Sequence, residues 1–192
     1  MAQEFDALIC TFCEEYHLPD GKIFYLEKEN DSVFVHGKIY SRKFLLANRI
    51  EWHPDLHEHQ DSCYNVLART CAKKTLVCKK PIYLWKNNPN SISRKNGKMH
   101  LPLTWPHMLD SYDHLIDDLK ERGFGEQARY YTAYALYATY YELSHSVWHE
   151  DNMEEYKLNA YKRLRDLYYK YSKLLLYVTD EQEEKINKTT HD

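Results

Sequence analysis

Val-His-Gly-Lys-Ile-Tyr-Ser-Arg-Lys-Phe-Leu occupies residues 35–45. It is followed by Asn-Arg-Ile-Glu-Trp at 48–52, His-Glu-His-Gln-Asp-Ser at 57–62, and Pro-Ile-Tyr-Leu-Trp-Lys-Asn-Asn-Pro-Asn-Ser-Ile-Ser-Arg at 81–94. The segment from Val33 to Tyr40 reads as a strand, with Gly37 permitting a close approach of backbone or ligand and with His36 and Lys38 projecting on one side. Ser41 is placed to cap a short helix carrying Phe44, Leu45 and Leu46, and Asn48 stands where that helix stops. Ile50 to Trp52 is brief and extended, closed by Pro54. Between Gln60 and Ala72, the residues Cys63, Tyr64, Val66, Leu67, Thr70 and Cys71 recur at helical spacing, which puts Asp61 in a first helical turn. Thr75 to Cys78 and Ile82 to Trp85 are predicted strands separated by a bend at Lys79-Lys80-Pro81, and residues 87–98 form a turn-rich loop.

Outward from this stretch, Ala7 to Cys13 is an apolar run suited to a buried strand, and Leu18-Pro19-Asp20-Gly21 is a turn into a returning strand from Lys22 to Glu27. Downstream the chain becomes helical and rich in tyrosine. Met108, Leu109, Tyr112, Leu115, Ile116 and Leu119 define one apolar face running to Gly123. Further helices are predicted from Glu126 to Trp148 and from Met153 to Val178, the latter with Tyr156, Ala160, Leu164, Leu167, Tyr171, Leu174 and Val178 on one stripe. The predicted architecture is α+β: a small mixed sheet with short helices over residues 1–98, a helical region over 99–180 and a polar tail over 181–192.

The 192 residues suffice for one domain with a sizeable core, or for a small domain with a helical appendage. A net charge of −3 with both signs interspersed lacks the concentrated positive field that drives general nucleic-acid binding, so nucleic acid is not an expected partner. No run of about 20 apolar residues is present, so no membrane span is expected. The acidic first residues carry no signal-peptide pattern, and five cysteines, an odd number, fit reduced thiols and a cytoplasmic location. Cys10 and Cys13 are spaced as C-x-x-C, but residues three apart on a strand face opposite ways, which favours buried thiols over chelation. The 18 tyrosines, most of them after residue 110, suit helices with wet margins or an interface with a protein partner or a second copy.

Several residues could carry chemistry. His53, His57 and His59 with Asp61 are of the right types for zinc or manganese, with an exposed histidine-rich loop as the alternative; His57 and His59 are the weak metal candidates. Arg94, Lys95 and Lys98 either clamp phosphate oxygens or are solvated charges. Trp85 either stacks on a ligand or belongs to the core. Asp61 is either a catalytic base or a favourable charge at a helix N-terminus, and His36-Gly37-Lys38 is either a ligand-lining segment or a glycine kink.

The four segments quoted first, in that order and at those separations, resemble the acceptor-side half of a family-2 glycosyltransferase, the inverting nucleotide-sugar enzymes of GT-A fold; the resemblance covers about residues 6–125. It implies that His36 and Lys38 line the acceptor or diphosphate region. It also implies that an acidic residue opening the helix after the Asn-x-Ile strand is the base, which falls on Asp61, with Glu58 upstream as a second acid. Gln60 stands where that family usually has Glu, and no Asp-x-Asp occurs, so the donor-binding half and its metal anchor have no counterpart here. No cofactor is certain; a divalent metal, Mn or Mg, enters only where a partner supplies the acidic motif. The expectation is therefore one part of a split glycosyltransferase, inactive alone and meeting a nucleotide sugar only in the complex. The alternatives are a degenerate binding, inhibitor or assembly module, for instance viral, and an unrelated α+β binder.

Overall fold

The computed structural model describes residues 4–56, 59–86, 88, 105–145 and 153–175. The architecture is α+β, as predicted: four strands form one small mixed sheet, and helices follow. Contacts divide the chain into two compact units, residues 1–115 and 116–192, with the division inside a helix. The predicted change of character at 99–105 lies largely outside the described residues.

The first unit is built around β1 (Ala7–His17), whose run Ala-Leu-Ile-Cys-Thr-Phe-Cys is apolar enough to be flanked on both edges. On one edge β4 (Thr75–Trp85) runs parallel to it, while β3 (Lys38–Tyr40) and β2 (Ile23–Lys28) pair antiparallel with its first and second halves. The β1–β2 hairpin closes as the sequence predicts: Gly21 takes φ +81, and Leu18 N–H donates to Lys22 O at 2.8 Å. β4 is a single strand, which corrects the expectation of two strands parted by a bend. β1 is long enough to pair with all of it, and the Lys79-Lys80-Pro81 stretch is absorbed as register shifts: Cys10 pairs with Cys78, Thr11 with Pro81 and Phe12 with Tyr83.

A second correction concerns Val33 to Tyr40, of which only Lys38–Tyr40 is strand. The Asp31 carboxylate accepts hydrogen bonds from the N–H groups of Val33 (3.0 Å) and Phe34 (2.7 Å), so this backbone folds around a side chain. Ile50 to Trp52 likewise joins no ladder, although Ile50 is buried.

Helix α1 (Arg42–Ala47) is capped by Ser41 and closed by Asn48, whose Nδ2 donates to Phe44 O at 3.0 Å. Helix α2 (Gln60–Cys71) buries Cys63, Val66, Leu67 and Ala68, and helix α3 (Trp105–Glu121) meets it where Cys63 Sγ donates to Ser111 O at 2.9 Å. Met108, Leu109, Tyr112 and Leu115 of α3 are buried, the face that the sequence marks as apolar. At its end Gly123 N–H bonds Lys120 O and Phe124 N–H bonds Leu119 O, a glycine-terminated stop with φ +81.

In the second unit, the last turn of α3 accompanies α4 (Gly125–His145) and α5 (Met153–Leu175). Helix α4 buries Ala128, Thr132, Ala135, Thr139 and Leu143, mostly small residues that permit close helix packing, while α5 buries Ala160, Leu167 and Tyr171. Tyr156, placed on that stripe by the sequence, is exposed. Burial would raise the Asp117 carboxyl, but hydrogen bonds from Lys170 (2.9 Å) and Tyr171 outweigh it and hold it below its ordinary value.

Candidate functional site

The segment between β2 and β3 is held by a polar stripe on α2. Asp61, Asn65 and Arg69 are four residues apart and so share one helical face. Asn65 is fully buried; its Nδ2 donates to Val33 O at 2.8 Å, and its Oδ1 accepts from Tyr40 OH at 2.9 Å. Burial raises the Tyr40 phenol well above its ordinary range, which keeps it protonated and donating. Arg69 donates to Asp31 O (2.9 Å) and to Asn30 Oδ1 (3.0 Å).

Lys38 closes the segment from below. Its side chain is 1% exposed, and Nζ bonds Asp31 Oδ1 (3.2 Å), Phe34 O and His36 O (3.3 Å). Burial lowers its pKa, opposed chiefly by Asp31. The ammonium expected to face a diphosphate is therefore spent inside the protein, where it fixes the positions of Phe34 and His36.

Gly37 is what lets this segment cross β1 closely. It takes φ +70, its carbonyl accepts from Cys10 N–H at 2.8 Å, and a Cβ there would lie 2.7 Å from Cys10 O. His36 is thereby set among rings. It stacks on Tyr83 (centroids 4.7 Å apart) and Phe34 (5.7 Å), meets Phe12 edge-on (5.4 Å) and lies 6.1 Å from Trp85. The rungs Phe12↔Tyr83 and Glu14↔Trp85 put those four residues on one side of the sheet, beside the stacked pair Tyr16 and Phe24. Glu14 is 3% exposed beneath the rings, bonded by Tyr16 OH and 3.7 Å from Lys28 Nζ.

Burial is the main reason the His36 imidazole is held below its ordinary value; the Asp61 carboxylate is the strongest opposing influence, with Asp31 and Glu14 adding to it. His36 and Trp85, from separate segments, thus meet at one ring cluster, with Lys38 bonded to His36 O, and Asp61 acts on His36 through its charge. Asp31, Asn65 and Arg69 were missed, although the spacing 61, 65, 69 on a predicted helix is a visible signal for the latter two.

The other candidates fall elsewhere. Glu58, His57, Arg94, Lys95 and Lys98 lie outside the described residues. His59 is exposed at φ +59 before α2 and makes no side-chain cap. His53 meets the His114 ring at 4.6 Å, and His114 bonds Asp55 at 3.2 Å. Among the described residues no group of three or more His, Cys, Asp or Glu side chains could hold a metal, and Asp31 and Glu14 are already engaged with Lys38 and with Tyr16 and Lys28.

A separate cleft of about 680 Å³ lies beside β3 and α1, lined by Asp6, Tyr40, Ser41, Lys43, Lys73 and Lys74 among others. His36, Asp61 and Trp85 do not line it. Its Asp6 carboxylate accepts the N–H groups of Lys73 and Lys74, each at 2.9 Å, and so fixes the turn into β4. Among the described residues no helix is long and apolar enough to cross a membrane. Comparison of the chain with known protein families, with curated proteins and with solved structures finds no match.

Proposed function

We propose that this chain supplies the acceptor side of an inverting, nucleotide-sugar-dependent glycosyl transfer, as the cytoplasmic part of a split enzyme whose donor half is a protein partner. The observation that carries this reading is the meeting of His36 and Trp85, from two segments of the chain, at one aromatic locus on which the charge of Asp61 acts. Tyr83 and Trp85 offer flat apolar faces of the kind that receive the C–H side of a sugar ring. Asp61, at the opening of α2, is the carboxylate that takes the proton from the acceptor hydroxyl as that oxygen attacks the anomeric carbon. Any metal on the leaving diphosphate is held by the partner's half in this reading, because Asp31 and Glu14 are already engaged.

The test is transfer by the complex reconstituted with the donor-binding chain. Asp61→Asn is expected to lower kcat by about a hundredfold or more with the fold intact, since general-base catalysis contributes on that order. Unchanged turnover would remove Asp61 from the chemistry. The chain alone is expected to show no measurable affinity for a nucleotide sugar.

One observation favours a second reading, a binding module without chemistry. Tyr130, Tyr134, Tyr137 and Tyr141 lie along one exposed face of α4, a surface suited to a protein partner or a second copy. In that reading Asp61→Asn leaves partner binding and phenotype untouched, whereas removing these tyrosines does not.

A further inference from the structure

We propose that Cys10 of β1 and Cys78 of β4 are a cross-strand dithiol that exchange with a small-molecule disulfide converts into a covalent bridge between the two strands. The two residues are direct partners on the parallel ladder, the last rung before the register shifts. Neighbouring strands lie about 4.8 Å apart, within the Cα separation of about 4.4–6.8 Å that a disulfide spans. As direct partners on neighbouring strands, their side chains leave the sheet on the same side.

The other three cysteines offer no comparable pairing. Cys13 is three residues from Cys10 on the same strand and pairs with Leu84 and Glu27, Cys63 donates to Ser111 O, and Cys71 lines the cleft beside β3.

Exposure sets the order of events. Cys10 is 3% exposed, whereas Cys78 is partly exposed, so Cys78 meets the reagent first. Its thiolate attacks one sulfur of glutathione disulfide, forming a mixed disulfide and releasing one glutathione thiolate. Cys10, losing its proton to solvent, then attacks the Cys78 sulfur and expels the second glutathione. The balance is two protein thiols and one glutathione disulfide giving one protein disulfide and two glutathione thiols. Burial raises the Cys10 thiol, with the neighbouring Cys78 adding to the shift, so Cys10 is a poor first attacker and reacts only once the mixed disulfide on Cys78 stands beside it. The bridge would sit directly under the site segment, because Cys10 N–H donates to Gly37 O.

The experiment titrates the folded full-length chain with glutathione disulfide, blocks remaining thiols with an alkylating agent, and maps linked peptides by mass spectrometry. A Cys10–Cys78 linkage is expected at about one-tenth of the glutathione disulfide that caps Cys13 or Cys71, because its second step is intramolecular. Cys10→Ala is expected to trap a stable glutathione adduct on Cys78, and Cys78→Ser to leave Cys10 unmodified. In denaturant the preference for this pair is expected to vanish. A Cys78 adduct that persists in the unsubstituted chain, a linkage between other cysteines, or no reaction where Cys13 is capped would each overturn the proposal.

Discussion

Replacing Gly37 by alanine is expected to destabilise the first unit by about 3 kcal/mol. The left-handed backbone costs an L-residue about 1–2 kcal/mol, and forcing a methyl group into occupied space costs about 1–3 kcal/mol more. Both apply at Gly37, which has φ +70 and would place its Cβ 2.7 Å from Cys10 O. That oxygen belongs to the central strand and cannot swing aside as a side chain would. Gly21 supplies the control. It has φ +81 but nothing within 4 Å of its notional Cβ, so Gly21→Ala carries only the backbone penalty, about 1 kcal/mol. Denaturant unfolding followed by tryptophan fluorescence reads both. Equal losses at the two positions would show that the close crossing over Cys10 is not what fixes the segment.

The second large effect is expected at Asp31. Its carboxylate is the counter-charge of Lys38, whose side chain is 1% exposed against 17% for Asp31. Removing one partner of a buried pair leaves the other charge uncompensated, at a cost of about 3–5 kcal/mol. Asp31→Ala is expected at the lower end of that range, because Asp31 keeps some contact with water. It also strips the N–H groups of Val33 and Phe34 of their acceptor. Asp31→Asn preserves an acceptor oxygen and should lose less. A shift in unfolding midpoint no larger than that of a typical surface substitution would mean that Lys38 finds other partners and the segment is not locked through it.

What the sequence made legible follows from where local chemistry decides structure. The hairpin at 18–21, the Ser41 cap, the stop at Asn48, α2 and the glycine end of α3 all rest on residues acting within one turn of themselves, and the structure has them. Residues 33–37 were misread as strand because Val33, Phe34, Val35 and His36 have strand composition, whereas their conformation is set by Asp31, Asn65 and Arg69. The single β4 was hidden because Lys79-Lys80-Pro81 reads as a break, while a partner strand as long as β1 carries the pairing past it. Of the site, residue identity picked out His36, Asp61 and Trp85. That Lys38 turns inward could not be read from sequence, since a lysine beside a glycine looks the same whether it meets a ligand or three oxygens of its own loop.

The proposed acceptor site requires the charge of Asp61 to act on His36, and NMR titration of the His36 imidazole tests that most directly. The His36 signal is assigned by its loss in His36→Phe. Its pKa is expected below the ordinary 6.5 because burial disfavours the imidazolium, while the negative charge of Asp61 partly offsets that. A folded-state value below the unfolded one also means that stability contributed through His36 is present above pH 6.5 and is lost as pH falls through the folded value. Asp61→Asn removes the opposing charge, so the His36 pKa is expected to fall further in that variant. An unchanged or higher pKa would place Asp61 outside the neighbourhood of His36 and contradict the site described.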